Sequence, residues 1–539
     1  MRVLCLGMDG ADHGLVGELL ERGRLPTLAG VIRTGAYGPL RSTLPAATPT
    51  AWSTFLTGLN PARHGIFNFS TNANRAPSRV ESARSRSGTP LWRTLGAAGI
   101  RSAFVTVPFT YPAEEMAGII VSGYGGPATP QITPPAAGEQ IRAVHPGLVT
   151  AHHPMRERYW EDFDRYARLL IEHVAQVESV CEQCFELEPD LGVLVVDFMS
   201  TDFAGHLGYA RLDPQHPAHD PEAAGDELVQ VYEAVDEACG RLIAAARERF
   251  SEEPTVLMMS DHGMKPMYWV FHLNRWLEEH GHLRYRKRSL QRLKGTRLRS
   301  LAGLDQRLAR TSVRYTRAVD ALPIVPSVAA DRAFADIDFP RTRAYSFATG
   351  GQVYLGESSG AAGDAAYAER LAIELEAERH PETGEPLLHV LRKADIYHGP
   401  YLDRAPDLIV LTIDERVHVD SLRLRGVAAI EVHDHLDPEN AYGYSGHHGV
   451  DGILAAAGPG IRPGVVPAGA GIVQMAATIL RLHGIAAEGL DGGPIDGILA
   501  GDGDAVQVAA QGQAGSEEGV YSAEEEAGIL ERLRDLGYE

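Results

Sequence analysis

Four groups of acids and imidazoles recur along the 539-residue chain in settings where they could share cations. They are Asp9 after the apolar run Arg2 to Met8, Asp202-Phe-Ala-Gly-His206, Ser260-Asp261-His262-Gly263-Met264, and Gly446-His447-His448-Gly449. Carboxylate oxygens and imidazole nitrogens without a thiolate suit Zn²⁺, and Mn²⁺ or Fe accept the same set. So many ligands exceed one tetrahedral site. Two cations roughly 4 Å apart would clamp the attacking and leaving oxygens of a phosphoryl or sulfuryl transfer. The nucleophile such a site needs is available in Thr48-Pro-Thr-Ala-Trp-Ser-Thr-Phe-Leu-Thr-Gly58, where a hydroxyl stands at the start of a helical stretch whose N–H groups favour an anion. The same position of Thr48 also suits an N-cap followed by Pro49 as the first helical residue.

These groups must be carried by a scaffold. Short β-rich runs (Arg2 to Met8, Ser102 to Val107, Gly192 to Val196, Thr255 to Met259) alternate with amphipathic stretches, which predicts an α/β fold with a mostly parallel sheet covered by helices on both faces. Ligands of such sheets gather at the carboxyl ends of the strands. Asp9 and Asp261-His262 follow such ends directly, and Gly205 is expected to permit a tight turn between Asp202 and His206. Asp197, at the end of the run through Val196, could support the site from behind.

Composition narrows the class. With 44% hydrophobic and 22% charged residues the chain is globular, not disordered, and a net charge of -21 argues against nucleic-acid binding over its whole surface. Four scattered cysteines make no disulfide framework, which fits a reducing cytoplasm; Cys181-Glu-Gln-Cys184 reads as a buried helix face. The first residues read as a buried strand, not as a signal peptide, and no apolar run reaches the ~18 residues that span a bilayer. Residues 281–317 carry twelve Lys or Arg against one acid, Asp305, with leucines at helical spacing. That is a basic amphipathic insertion, either a solvated hairpin or a peripheral contact for anionic surfaces. The expected organisation is one catalytic domain over 1–500, with insertions about 125–190 and 278–345, and then a linker and C-terminal helix over 501–539 begun by a Ser522/Glu525 capping box. Trp52 and Trp92 are expected in the core, and His64 as a surface or structural residue.

The order of the blocks resembles the alkaline phosphatase superfamily: Asp9, the Thr48 stretch with Pro61-Ala-Arg-His64-Gly-Ile66, Asp202-x-x-Gly-His206, Ser260-Asp-His-Gly-Met264 and His448-Gly. Within it the chain is most similar to the type I phosphodiesterase/nucleotide pyrophosphatase family, over residues 1 to about 500. Further segments, among them Leu273-Asn-Arg-Trp-Leu277, Pro381-Glu-Thr-Gly-Glu-Pro386 and Ile396-Tyr-His-Gly-Pro-Tyr401, resemble a prokaryotic branch of predicted phosphohydrolases and phosphomutases. The resemblance implies an alkaline-phosphatase-like sheet with inserted cap segments. It implies one metal held by Asp9, Thr48, Asp261 and His262, and another by Asp202, His206 and His448. Thr48 would be the nucleophile of a phosphothreonine intermediate, in an enzyme that cleaves phosphodiester or pyrophosphate bonds of a small, nucleotide-like substrate. Position 48 separates the chain from sulfatases, whose Cys or Ser matures to formylglycine. Asn68 lies one residue off the place of the family's phosphate-binding Asn, and Lys265 beside the Asp-His-Gly-Met loop could neutralise a phosphate. His447 competes with His448, but alignment on Gly449 and Gly452 favours His448. A phosphomutase or phosphotransferase that passes the group to an alcohol is the alternative, and a non-catalytic binding protein is a further one.

Overall fold

The structure is a computed structural model that describes residues 1–70, 80–152, 162–286, 337–348, 350–356, 364–421, 428–434, 436, 443–501, 505–516, 520–522, 525, 526, 528 and 529. The expected basic insertion lies outside the described residues from 287 onward.

Eight strands form the central sheet in the order Ala36–Arg41, Asp451–Ala457, Thr255–Met259, Val3–Met8, Leu191–Phe198, Arg101–Val105, Gly118–Val121, Ile132–Thr133. The five from Thr255–Met259 to Gly118–Val121 are parallel, while Asp451–Ala457 runs against both its neighbours and Ile132–Thr133 against its one. All six residues of Val3–Met8 are buried, as a central strand covered on both faces requires. Its side chains alternate: Leu4, Leu6 and Met8 enter a core with the long helices Phe163–Leu187 and Glu227–Phe250, and Val3 and Cys5 enter one with the helices Thr48–Thr57, Leu91–Ala97 and Met475–Leu482. Cys181 and Cys184 lie in Phe163–Leu187, buried and free like Cys5 and Cys239. Between residues 125 and 190, Ile132–Thr133 joins the central sheet and Phe163–Leu187 packs into its core.

A smaller layer stands beside the carboxyl edge. A four-stranded antiparallel sheet (Ala344–Ser346, Gln352–Leu355, Leu408–Thr412, Leu388–Arg392) and a three-stranded one (Val417–Asp420, Trp269–His272, Ile430–Val432) share a separate core built on Trp276, Leu371 and Val353. This cap is fastened to the turn before the Thr48 helix. The Tyr397 hydroxyl donates to the Leu44 carbonyl at 2.6 Å, and Gly350, at φ +77°, lies so close that a Cβ there would meet Pro45 at 2.8 Å. Among the described residues no helix is long and apolar enough to cross a membrane.

Candidate active site

Three neighbouring parallel strands deliver the acids. Asp9 follows Val3–Met8; Asp261 and His262 follow Thr255–Met259 on one side; on the other side Leu191–Phe198 runs into the helix Ser200–Leu212, which carries Asp202 and His206. The strand ends therefore converge on one crevice. The expected turn between Asp202 and His206 is instead continuous helix, and the i, i+4 spacing puts both side chains on one face. Gly205 has a packing role there, since a Cβ would lie 2.7 Å from Met264 Cγ.

His448 reaches the crevice from a different part of the chain. The short strand Gly446–Gly449 pairs antiparallel with Gly263–Pro266, placing His448 opposite Met264, next to the Asp261-His262 turn. Adjacent strand residues face opposite ways. His447 accordingly points elsewhere and donates from Nε2 to the Glu415 carbonyl at 2.8 Å, while the His448 ring stacks on His262 with centroids 3.8 Å apart.

Two clusters result, Asp9/Asp261/His262 and Asp202/His206/His448, each with one ligand atom per residue and all within 4.8 Å of one another. All three imidazoles are oriented alike. The Nδ1 of His206 lies 3.0 Å from the Gly446 carbonyl, that of His262 3.0 Å from the Gly263 carbonyl, and that of His448 3.0 Å from the Ala46 carbonyl. A carbonyl only accepts, so each Nδ1 carries the proton and each Nε2 presents a lone pair to the cluster, the arrangement that metal-binding histidines adopt. His206 Nε2 and His448 Nε2 face each other at 3.1 Å, and the Asp202 oxygens lie 3.6 and 3.3 Å from them. His262 Nε2 is 3.4 Å from Asp261 Oδ2 and 3.7 Å from Asp9 Oδ1. Among the described residues no donor from outside the two clusters reaches Asp9 Oδ1, Asp202 Oδ1 or Asp261 Oδ2, although all are buried. Buried anionic oxygens and opposed lone pairs are unfavourable together unless a cation lies among them. The donor set of three carboxylates and three imidazoles thus fits two divalent cations of the zinc type.

Without a cation the six groups charge one another, and Asp202 raises the His448 imidazole against its burial. Burial, with the charges of Asp261, Asp197 and Asp202, pushes the Asp9 carboxyl well above its ordinary range, and burial with Asp202 pushes Asp261 up to about 7. Burial also raises Asp202, but His206 and His448 outweigh it and hold this carboxyl low. Behind Asp9 lies the buried Asp197, on the strand Leu191–Phe198 itself; burial and the charge of Asp261 push its carboxyl well above the ordinary range, against a hydrogen bond with Asp9.

Thr48 is not an N-cap. Ala47 occupies that position, Thr48 and Pro49 open the helix Thr48–Thr57, and no side chain caps its N–H groups. The Thr48 hydroxyl is therefore free to meet His262 Nε2, at 3.3 Å. One helical turn on, the Trp52 indole donates to Asp9 Oδ2 at 3.0 Å. Trp52 and Trp92 are core residues as expected, but composition alone gives no sign of Trp52's grip on Asp9; its i+4 relation to Thr48 is the signal that points there. His64 is fully buried, with Nδ1 accepting from the Ile66 N–H and Nε2 2.9 Å from the Thr54 hydroxyl.

Of the two remaining candidates, Asn68 is buried and its Oδ1 accepts from the Phe69 N–H at 2.7 Å, leaving Nδ2 without a partner among the described residues. Lys265 lines a cavity beside the clusters, but Asp12 at 2.9 Å and Glu415 at 3.0 Å already compensate its ammonium.

The sequence model of the type I phosphodiesterase/nucleotide pyrophosphatase family matches residues 3–451. No curated protein matches the chain by sequence. Among solved structures, human ectonucleotide pyrophosphatase/phosphodiesterase 5 is similar over 92% of this chain and 100% of its own, at 15% identity and TM-score 0.49. The murine protein covers the same shares at 15% identity, with TM-score 0.48, and 0.49 for an inactive form in complex with AMP. The family match spans most of the sequence and includes every acid and imidazole of the two clusters. This chain belongs to the type I phosphodiesterase/nucleotide pyrophosphatase family and is a hydrolase acting on phosphoric ester bonds.

Proposed function

We propose that the protein cleaves phosphodiester or pyrophosphate bonds of a small phosphorylated substrate with Thr48 as nucleophile, at a site where Asp9, Thr48, Asp261 and His262 hold one divalent cation and Asp202, His206 and His448 another. The observation that carries this reading is the common orientation of the three imidazoles, each with Nδ1 bound to a backbone carbonyl and Nε2 turned to carboxylate oxygens that no donor from outside the clusters reaches. When bound, the cations would favour ionisation of the Thr48 hydroxyl and offset the charge of the phosphoryl oxygens. Zinc suits this donor set, and manganese or iron is compatible with it.

The chain's own groups do the rest. Thr48 Oγ1 attacks phosphorus, the bond to the leaving oxygen breaks, and the phosphoryl group is held as a phosphothreonine ester. Water then forms the new bond to phosphorus while the Thr48 Oγ1–phosphorus bond breaks, regenerating the hydroxyl. The uncapped start of the Thr48–Thr57 helix favours the anion bound there. Asn68 Nδ2 is the donor we assign to a phosphoryl oxygen. Lys265, matched by two carboxylates, adds little net attraction for phosphate and instead ties the Asp12 turn to the cap. Four free, buried cysteines support action in the reducing cytoplasm.

The test is hydrolysis of bis(p-nitrophenyl) phosphate and p-nitrophenyl phosphate by zinc- or manganese-loaded protein, beside Thr48→Ala and Asp261→Ala. The reading expects diester cleavage to exceed monoester cleavage and to be lost in both variants. Full activity of either variant would overturn it.

A further inference from the structure

The segment Ile396-Tyr-His-Gly-Pro-Tyr401, which no step of the proposed reaction uses, joins the two turns that hold the reacting groups. The first turn, residues 43–47, is neither helix nor strand and leads into Thr48. Three successive carbonyls there accept from side chains: Leu44 from the Tyr397 hydroxyl at 2.6 Å, Pro45 from Thr43 Oγ1 at 2.8 Å, and Ala46 from His448 Nδ1 at 3.0 Å. Outside any helix or strand ladder, the approach to the nucleophile is set by these donors. The second turn follows the short helix Pro61–His64 and carries Asn68. The Tyr397 ring meets Phe67 edge to face with centroids 5.5 Å apart, and both belong to one small buried cluster with Ala62 and Ala405. A single side chain thus touches the chain four residues before Thr48 and one residue before Asn68.

Tyr397 is held firmly in this place. The Tyr401 N–H donates to the Ala62 carbonyl at 2.9 Å, and the Tyr401 hydroxyl shares a hydrogen bond with Ser87 Oγ at 2.5 Å. Between them Gly399, at φ +141°, passes so close that a Cβ would lie 2.4 Å from the Ala62 carbonyl oxygen. Tyr397 itself is buried, and burial raises its hydroxyl well above the ordinary range, so it keeps its proton and donates. Bonded to backbone, that hydroxyl does not act on substrate itself.

We infer that Tyr397 is a positioning residue: through the Leu44 carbonyl and Phe67 it fixes the distance between the Thr48 hydroxyl and Asn68 Nδ2, which must meet the same phosphoryl group. The inference rests on the hydrolase reading above, which supplies the roles of Thr48 and Asn68. It adds that the cap, and not the central sheet alone, sets the geometry of the reacting groups.

The test uses the zinc- or manganese-loaded full chain. Tyr397→Phe keeps the ring and removes only the hydroxyl; Tyr401→Phe removes a hydroxyl of the same segment that is bonded to Ser87 and not to the Thr48 turn. Each is made alone and together with Asn68→Ala. Turnover of bis(p-nitrophenyl) phosphate is measured beside calorimetric binding of orthovanadate, a phosphoryl mimic that takes the nucleophile's oxygen as a ligand. A misplacement of about 1 Å at a reacting centre can cost about 100-fold, so partial release of the turn predicts a loss of about tenfold in kcat and in vanadate affinity. KM should stay within about twofold, because the lost bond touches no substrate. Tyr401→Phe should stay within about twofold of the parent in every quantity. Once Asn68 is Ala the spacing has nothing left to serve, so Tyr397→Phe should then cost no more than about twofold, whereas a merely structural loss would persist undiminished. Equal effects of the two Phe variants, or a Tyr397→Phe loss of the same size with and without Asn68, overturn the inference and leave the hydrolase reading intact as long as the parent turns over. If no diester is cleaved but vanadate binding follows the predicted pattern, the positioning role stands and the hydrolase reading falls. A parent that neither cleaves the diester nor binds vanadate overturns both.

Discussion

Gly10 offers the sharpest test of how the two clusters are spaced, because Gly23 provides a matched control. Both have φ +67°, a left-handed conformation that costs an L-residue about 1–2 kcal/mol, less about 0.4–1 kcal/mol returned by the stiffer unfolded chain. A Cβ on Gly23 meets nothing within 4 Å, so Gly23→Ala should cost only this difference, about 1 kcal/mol. A Cβ on Gly10 would lie 3.0 Å from both Asp202 Cα and Asp202 Oδ1, against backbone that cannot swing aside. Forced overpacking of this kind adds about 1–3 kcal/mol. Gly10→Ala should thus lose about 2–4 kcal/mol and push Asp202 away from Asp9 and from the Gly10 N–H bond to Asp261 Oδ1. A misplacement of about 1 Å at a reacting centre can cost about 100-fold, so the smaller shift that relieves this contact predicts a loss of about tenfold in kcat/KM. Urea denaturation and diester turnover of the two variants, side by side, read both quantities. If Gly10→Ala matches Gly23→Ala in stability and activity, the loops do not press on one another as described.

Two further outcomes follow from the same geometry. Trp52→Phe removes the indole donor to Asp9 Oδ2, a bond to a charged acceptor worth about 1.5–3 kcal/mol, and groups that orient ligands typically set metal affinity by about 10- to 100-fold; a chelator competition titration should show a loss in that range, and affinity within twofold of the parent would refute the role. His272, in the cap, is lowered by burial, but its bonds to Asp420 and Glu431 outweigh this and raise it to about 9. Its folded pKa lies above the unfolded value of about 6.5, so its contribution is fully present below pH 6.5 and lost as pH rises through 9. With Glu431 partly exposed, this amounts to about 2–3 kcal/mol. Urea midpoints between pH 6.5 and 9.5 should fall more steeply for the parent than for His272→Gln, and parallel declines would contradict the assignment.

Much of the site is legible in the sequence because its acids sit where a parallel sheet must place them. Asp9 and Asp261-His262 follow two neighbouring apolar strands, and the strand on the other side of the first leads to Asp202. Other features depend on contacts that no local pattern encodes. Gly205 reads as a turn but lies mid-helix, because Met264 occupies the space a side chain would need. Thr48, taken with its own stretch alone, reads as a cap, and only His262, from more than two hundred residues away, shows its hydroxyl in the site. The choice of His448 over His447 becomes physical only when strand alternation is fixed by pairing with Gly263–Pro266. The cap strands Trp269–His272, Val417–Asp420 and Ile430–Val432 come from distant segments, so neither their sheet nor the cavity they enclose is visible in any one stretch of chain.

The claim that Thr48 is the nucleophile is tested most directly by acid-quenching the metal-loaded enzyme during diester turnover and mapping its peptides by mass spectrometry. The account predicts a phosphoryl ester on the hydroxyl of Thr48, absent from Thr48→Ala, which should also be inactive. Steady turnover with no adduct on Thr48, together with an active Thr48→Ala, would contradict it.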